Sequence, residues 1–205
     1  MVATTVETVL VPAGSPARTL QDLVALARAR PGALNYGSFG NGSTGHLSGE
    51  LLQQITGIDL VHVPFRGAAD AMTALLADQI QLLITAQGPA LPHIEAGKLR
   101  ALAVLHERRQ DTLPGVPTAA ESGFPGLVSR AWFAVAAPAG TPGPVLERLS
   151  TEILRAAASP EFRERFVTGV GLEPAQGEPE DVRAAIQEDR EREGRLIRTL
   201  DLRLD

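Results

Sequence analysis

The sequence predicts an α/β fold: a parallel-rich sheet covered by helices, followed by a helix-rich tail. Two patterns predict it. Extended apolar runs alternate with amphipathic segments from the N-terminus to about residue 105, as strands and crossover helices do in a parallel sheet. From residue 142 onward only helical periodicity remains. Composition agrees, because 205 residues with 44% hydrophobic and 21% charged suit a folded chain with a sizeable core.

The chain opens on a β-branched run (Val2, Thr4, Thr5, Val6, Thr8, Val9, Leu10, Val11) that reads as a strand. Pro12-Ala-Gly-Ser-Pro16 turns it, and Thr19 caps a helix to about Arg30 with Leu20, Leu23, Val24 and Leu26 inward. Pro31-Gly32 stops that helix, and Ala33 to Gly37 is a short strand. Ser38 to Gly45 is a glycine-rich loop, and the helix after it runs to Thr56, with Leu47, Leu51, Leu52 and Ile55 near a 3.6 period and Gly57 as its stop. Strands follow at Ile58–Phe65, Gln79–Thr85 and Leu99–Leu105, separated by helices at Ala68–Leu76 and Leu91–Glu95. Residues 108–125, rich in proline and glycine, read as a surface connection, and Val128 to Ala137 is extended again. Helices are expected at Val145–Ala157, Pro160–Val167 and Pro179–Leu200, the last with proline and acids in its first turn.

Several functions are excluded early. No apolar run approaches the ~20 residues a helix needs to cross a bilayer. A formal net charge of −5 with no basic stripe argues against nucleic acid as a partner. With 0 cysteines there is no disulfide, thiolate nucleophile or zinc-cysteine site. Met1-Val-Ala-Thr-Thr-Val-Glu7 has no basic stretch leading into an apolar one. The chain is therefore expected to be cytoplasmic if Met1 is the true start, and otherwise a segment of something longer.

The strongest local feature is Leu34-Asn-Tyr-Gly-Ser-Phe-Gly-Asn-Gly-Ser-Thr-Gly-His-Leu47, in which a strand feeds a loop of small residues and the loop feeds a helix. The first turn of a helix has backbone N–H groups without intrahelical partners, and the macrodipole adds positive character. The glycines (Gly37, Gly40, Gly42, Gly45) admit a ligand close to the backbone, and the hydroxyls of Ser38, Ser43 and Thr44 add donors. Such a loop is a seat for an anion; the competing reading is a tight turn with Ser43 as N-cap. The candidate contacts are Ser38, Phe39, Gly40, Asn41, Gly42, Ser43 and Thr44, joined by Arg66 and Thr85, which end strands on the same sheet edge.

Gly40-Asn-Gly-Ser-Thr-Gly45 also matches the dinucleotide fingerprint G-x-G-x-x-G. Its acid belongs at the far end of the second strand, whereas Asp59 opens that strand and Pro64-Phe65-Arg66 closes it, so an enzyme using a dinucleotide is the weaker reading. His46 and Glu50, spaced i,i+4, have no evident third metal ligand, and His62 alternates with Val61 and Val63 as a structural histidine would. No catalytic residues, metal site or cofactor are assigned.

At this point the residues resemble a family. Asn35 to Leu47 looks like the glycine-rich ligand loop of the Bug-type, or TctC-like, substrate-binding receptors of tripartite tricarboxylate transporters. Val61-His-Val-Pro-Phe-Arg-Gly67 resembles another of their signatures, as do Leu91 to Ala103, Leu113-Pro-Gly-Val-Pro-Thr118, Ala120-Glu-Ser-Gly-Phe-Pro125 and Trp132 to Pro142. The resemblance implies a periplasmic-binding-protein-like fold of two lobes that grips a small carboxylate between two strand–loop–helix pincers, delivers it to membrane transporter subunits and catalyses nothing. It also implies a periplasmic location.

The pincer that maps here is Ser38 to Thr44; the other, in a more N-terminal segment with a P-x-x-P-A-G-G-x-x-D pattern, is absent. Residues 6–130 would then be ligand-binding lobe 2, and residues 131–205 the returning, helix-rich part of an incomplete lobe 1. Apolar faces on the tail helices (Val145, Leu149, Ile153; Val182, Ile186, Ile197) would lack their sheet, so they are expected to be covered by a second copy in a homodimer or to rearrange. Half the anion contacts would be missing, so dicarboxylate binding is expected to be weak or absent. A third reading is an interaction fragment that binds no ligand.

Overall fold

The computed structural model describes residues 1–168, 172–175, 177 and 179–199. β1 (Ala3–Pro12) is its longest strand and its organiser. α1 (Leu20–Ala29) follows; Thr19 is its N-cap, as expected, accepting from the Asp22 backbone N–H, and Asp22 in turn accepts from the Thr19 N–H, a reciprocal bond the sequence reading did not include. The chain continues through β2 (Asn35–Ser38), α2 (Thr44–Thr56), β3 (Val61–Pro64), α3 (Ala68–Leu76), β4 (Leu82–Ala86), α4 (Gln87–Glu95) and β5 (Leu99–Val104). Gly57, at φ 65°, ends α2 in the left-handed conformation glycine adopts freely.

The strands lie in the order β3-β2-β4-β1-β5. β2 pairs in parallel with both β3 and β4. β1 runs antiparallel to β4 and β5, so the sheet is mixed; alternation of strands and helices does not encode the direction of a central strand. Both faces are covered. Val9 and Val11 of β1, with Leu82 and Ile84 of β4, point to the α1 and α2 side, where Leu20, Leu23, Val24 and Leu52 meet them. Leu10 and Leu83, one residue out of phase, point to α3 and meet Ala71, Met72 and Leu75. The expected helix near Leu91 begins earlier, at Gln87.

β1 belongs to two sets of pairings. Glu7 to Pro12 pair with β4 and β5, whereas Ala3 to Val6 pair with β6 (Arg130–Phe133), and Ala3 to Thr5 also with β7 (Leu172–Pro174). β7 was not expected, because three residues are too few to carry a period. The remaining elements are α5 (Gly143–Ala157), the single turn α6 (Pro160–Phe162) and α7 (Pro179–Thr199). The helix expected over 160–167 is that one α turn followed by a wider π-helical turn at Arg163–Thr168. Leu200, the expected end of the last helix, lies outside the described residues.

One apolar face of the tail is open. Val145, Leu146 and Leu149 of α5 are each more than 40% exposed, and Val135 is 64% exposed. With Ile153 and Val182 they line a groove of about 290 Å³. Ile186 is also exposed, while on the same helix Leu196 is buried.

Candidate functional site

The loop between β2 and α2 sits at the carboxyl end of two parallel strands, and its four glycines divide by role. Gly40 (φ 126°) and Gly42 (φ 73°) hold backbone angles that side chains rarely adopt. Gly37 and Gly45 are packing positions: a Cβ on Gly37 would stand 2.4 Å from Ile80 Cδ1, and one on Gly45 would stand 2.6 Å from the Ile84 carbonyl oxygen. Gly49 continues this contact, since a Cβ there would lie 2.2 Å from the Tyr36 ring. Gly45 and Gly49, one turn apart, let α2 lie almost directly on the sheet.

The loop hydroxyls are turned inward. Ser38 is fully buried; its Oγ accepts from the Gly40 N–H (3.2 Å), donates to the Gly40 carbonyl (3.1 Å) and lies 2.7 Å from His62 Nε2. Ser43 Oγ donates to the Gly40 carbonyl (2.7 Å) and accepts from the His46 N–H (3.4 Å), which makes Ser43 the N-cap that the alternative reading proposed. Thr44 Oγ1 donates to Glu7 Oε1. What the loop offers outward is main chain: among the described residues, the backbone N–H groups of Asn41 and Thr44 form no hydrogen bond, and Asn41 is exposed. Phe39 is half-buried, its ring within 3.0 Å of the position a Gly45 Cβ would take.

Arg66 is exposed just past the end of β3, beside the loop, where the Phe65 N–H donates to the Ser38 carbonyl at 2.9 Å. Among the described residues Arg66 forms no ion pair, so its charge is available near the loop. Thr85 is only 2% exposed, opposite Thr8 across the β1/β4 pair, and so lies within the sheet and not on its rim. The Asp59 backbone joins Gly32 at the other end of the sheet, away from the glycine loop, so the dinucleotide reading lacks its acid.

Two associations are not foreseen in the sequence: the partners of Glu7, and the stacking of His46 on His62. Glu7 is 1% exposed and accepts hydrogen bonds from the hydroxyls of Thr44, Ser48 (2.7 Å) and Ser129 (2.8 Å). Burial pushes its carboxyl above the usual range; the three hydroxyls oppose that, and nearby Glu193 adds to it. The one visible signal was an acid in phase with inward Val9 and Val11. The second association is an imidazole pair. The rings of His46 and His62 stack with centroids 3.9 Å apart and planes 4° from parallel, and His62 in turn stacks on Tyr36 at 4.9 Å. His46 Nδ1 accepts from the Gly42 N–H at 3.0 Å. Tyr36 donates to Glu50 Oε1 at 2.5 Å, and His46 Nε2 lies 3.9 Å from that oxygen. Among the described residues no cluster of three metal-ligating side chains occurs.

A sheet with helices on both faces and a glycine loop opening a helix at its strand ends is an α/β architecture whose ligands, as a class, lie at the carboxyl ends of the strands. The chain matches the family model described as the tripartite tricarboxylate transporter family receptor over residues 1–202, and it belongs to that family. It is 37% identical over 198 residues to the UPF0065 protein of the tcbD-tcbE intergenic region of Pseudomonas sp. (strain P51), covering 96% of this chain and 59% of the relative. Among solved structures it is similar to an R. palustris protein with adipate (TM-score 0.89, 33% identity, 97% of this chain and 66% of the other). It is also similar to MatC of Rhodopseudomonas palustris with bound malate (TM-score 0.87, 28% identity, 95% and 67%). The chain thus spans about three-fifths of the length of that curated relative.

Proposed function

We propose that the chain is the carboxylate-gripping portion of a solute receptor and that the grip is the loop from Ser38 to Thr44. The observation that carries this reading is the free main-chain donors of Asn41 and Thr44 at the start of a 13-residue helix, in a loop whose hydroxyls are all used to hold its shape. Those donors and the helix dipole attract an anion without a buried cation, and Arg66 adds a charge at the rim. Thr85 acts from within the sheet, by supporting the loop's floor. Residues 6–130 form the gripping lobe and 131–205 the returning part of a second. Small dicarboxylates are the ligand class, in keeping with the adipate and malate found in two similar proteins. The location is periplasmic and the receiving partner is a tripartite transporter.

The loop is fully formed, so by itself it binds weakly but measurably. The test is thermal unfolding with malate or adipate, since a ligand that binds only the folded form raises its stability. Millimolar ligand should raise the melting temperature of the native chain. It should not raise that of Gly42→Val, whose β-branched side chain is incompatible with φ 73°. No rise with either acid, or an equal rise in the variant, contradicts the proposal.

A further inference from the structure

We propose that His46 and His62 are positioning residues that hold the glycine loop in its anion-ready shape only while the His46 ring is neutral. The inference deepens the proposed carboxylate site and rests on that reading for its purpose, though not for its geometry.

The Gly42 N–H donates to His46 Nδ1 at 3.0 Å, so that nitrogen carries a lone pair and the ring proton is on Nε2, the side facing Glu50. This bond spans the loop from its left-handed Gly42 to the first turn of α2, and no other hydrogen bond of the Gly42 N–H is present among the described residues. His62 stacks on a face of the same ring and reaches Ser38 Oγ, which in turn holds Gly40. The two rings therefore grip the loop at both of its positive-φ glycines. Protonating His46 puts an N–H where Gly42 needs a lone pair; two donors then face one another and the bond is lost. It also places a cation 3.9 Å, centre to centre, from a second imidazole.

The groups facing the pair are Glu50 from α2, the Tyr36 hydroxyl and Ser38 from β2, and the Gly42 amide from the loop. Burial lowers the readiness of His46 to ionise, and Glu50 partly restores it. Burial and the neighbouring His46 together push His62 down to about 4. Protons thus reach His46 first.

Amide and imidazole nuclear magnetic resonance of the native chain, followed from neutral pH down to about 4, tests this without any variant. At neutral pH the His46 nitrogens should report the Nε2–H tautomer. As His46 protonates, the Gly42 amide should shift with it, and its hydrogen exchange, corrected for intrinsic pH dependence, should quicken about tenfold, the worth of one hydrogen bond. His62→Phe keeps a stacked ring but loses the Ser38 contact, so it should keep this transition while the Gly40 amide exchanges faster; a Gly40 amide unmoved in that variant overturns the role of His62. His46→Phe should leave Gly42 unprotected at every pH. A His46 found as the Nδ1–H tautomer, or a Gly42 amide indifferent to His46 protonation or still protected in His46→Phe, overturns the proposal. Malate added at neutral pH, where both its carboxylates are ionised, to the native chain and to His46→Phe separates the two claims. Shifts at Asn41 and Thr44 in the native chain that are weakened in His46→Phe support both. Absence of malate shifts in the native chain sinks the carboxylate site, while the Gly42 readings still decide the positioning role.

Discussion

Glu7 shows how a single buried carboxylate can tie a glycine-rich loop to the rest of a fold. Its three hydroxyl partners come from the start of α2 (Thr44, Ser48) and from the approach to β6 (Ser129), so one side chain joins both sets of β1 pairings. Glu7→Ala leaves three hydroxyls without their acceptor and should lower unfolding stability by about 3 kcal/mol in chemical denaturation. Glu7→Gln keeps the shape but cannot ionise. Because the folded-state pKa of Glu7 is raised, the stability it contributes is full below the ordinary carboxylate range and is lost as pH rises through the raised value. The melting temperature of Glu7→Gln relative to the native chain should therefore climb over that rise; a gap that does not change with pH would contradict it. The histidines act in the opposite sense. Their folded-state pKa values are lowered from 6.5, to about 4 for His62, so their stability is present above 6.5 and is lost as pH falls through this window. At this scale the sequence is half legible. It marks the glycine loop, because composition there is extreme. It does not mark Glu7, whose partners are up to 122 residues away, nor the stacking of His46 on His62, which needs α2 and β3 to be packed first.

Among the elements, α2 is the one whose placement matters most. Its residues Gly45 and Gly49 bring the helix axis against the sheet, and Tyr36 fills the space a side chain at 49 would need. Alanine normally favours a helix over glycine by up to ~1 kcal/mol. Here Gly49→Ala should instead destabilise by about 1–3 kcal/mol, the usual penalty of overpacking, and should loosen the Tyr36–Glu50 bond, which tyrosine fluorescence and denaturant unfolding both report. Helices α1, α2, α3, α5 and α7 are readable from caps and periods. The direction of β1, the existence of β7 and the π-helical turn at Arg163–Thr168 are not, since each is decided by pairing or crowding between distant segments.

For the whole molecule, the feature to explain is the open groove between α5, Val182 of α7 and residues 135–137 after β6. Apolar side chains anticipated as needing cover, Val145 and Leu149, are exposed. A groove of this kind binds an environment-sensitive apolar dye. Leu146→Ser with Leu149→Ser should reduce that dye's fluorescence while changing stability little, within about 0.5 kcal/mol per site, as exposed substitutions do. A large loss of stability would show that the face is already covered in solution. The family resemblance anticipated the helix-covered sheet, because its motifs run in order along the chain.

The proposed carboxylate grip is tested most directly by an amide-resolved titration with malate: the largest shifts should fall on Asn41, Thr44 and their loop neighbours from Ser38 to Gly45, with the open groove near Leu146 silent. Shifts confined to the groove or scattered over the surface, with the loop unmoved, would contradict it.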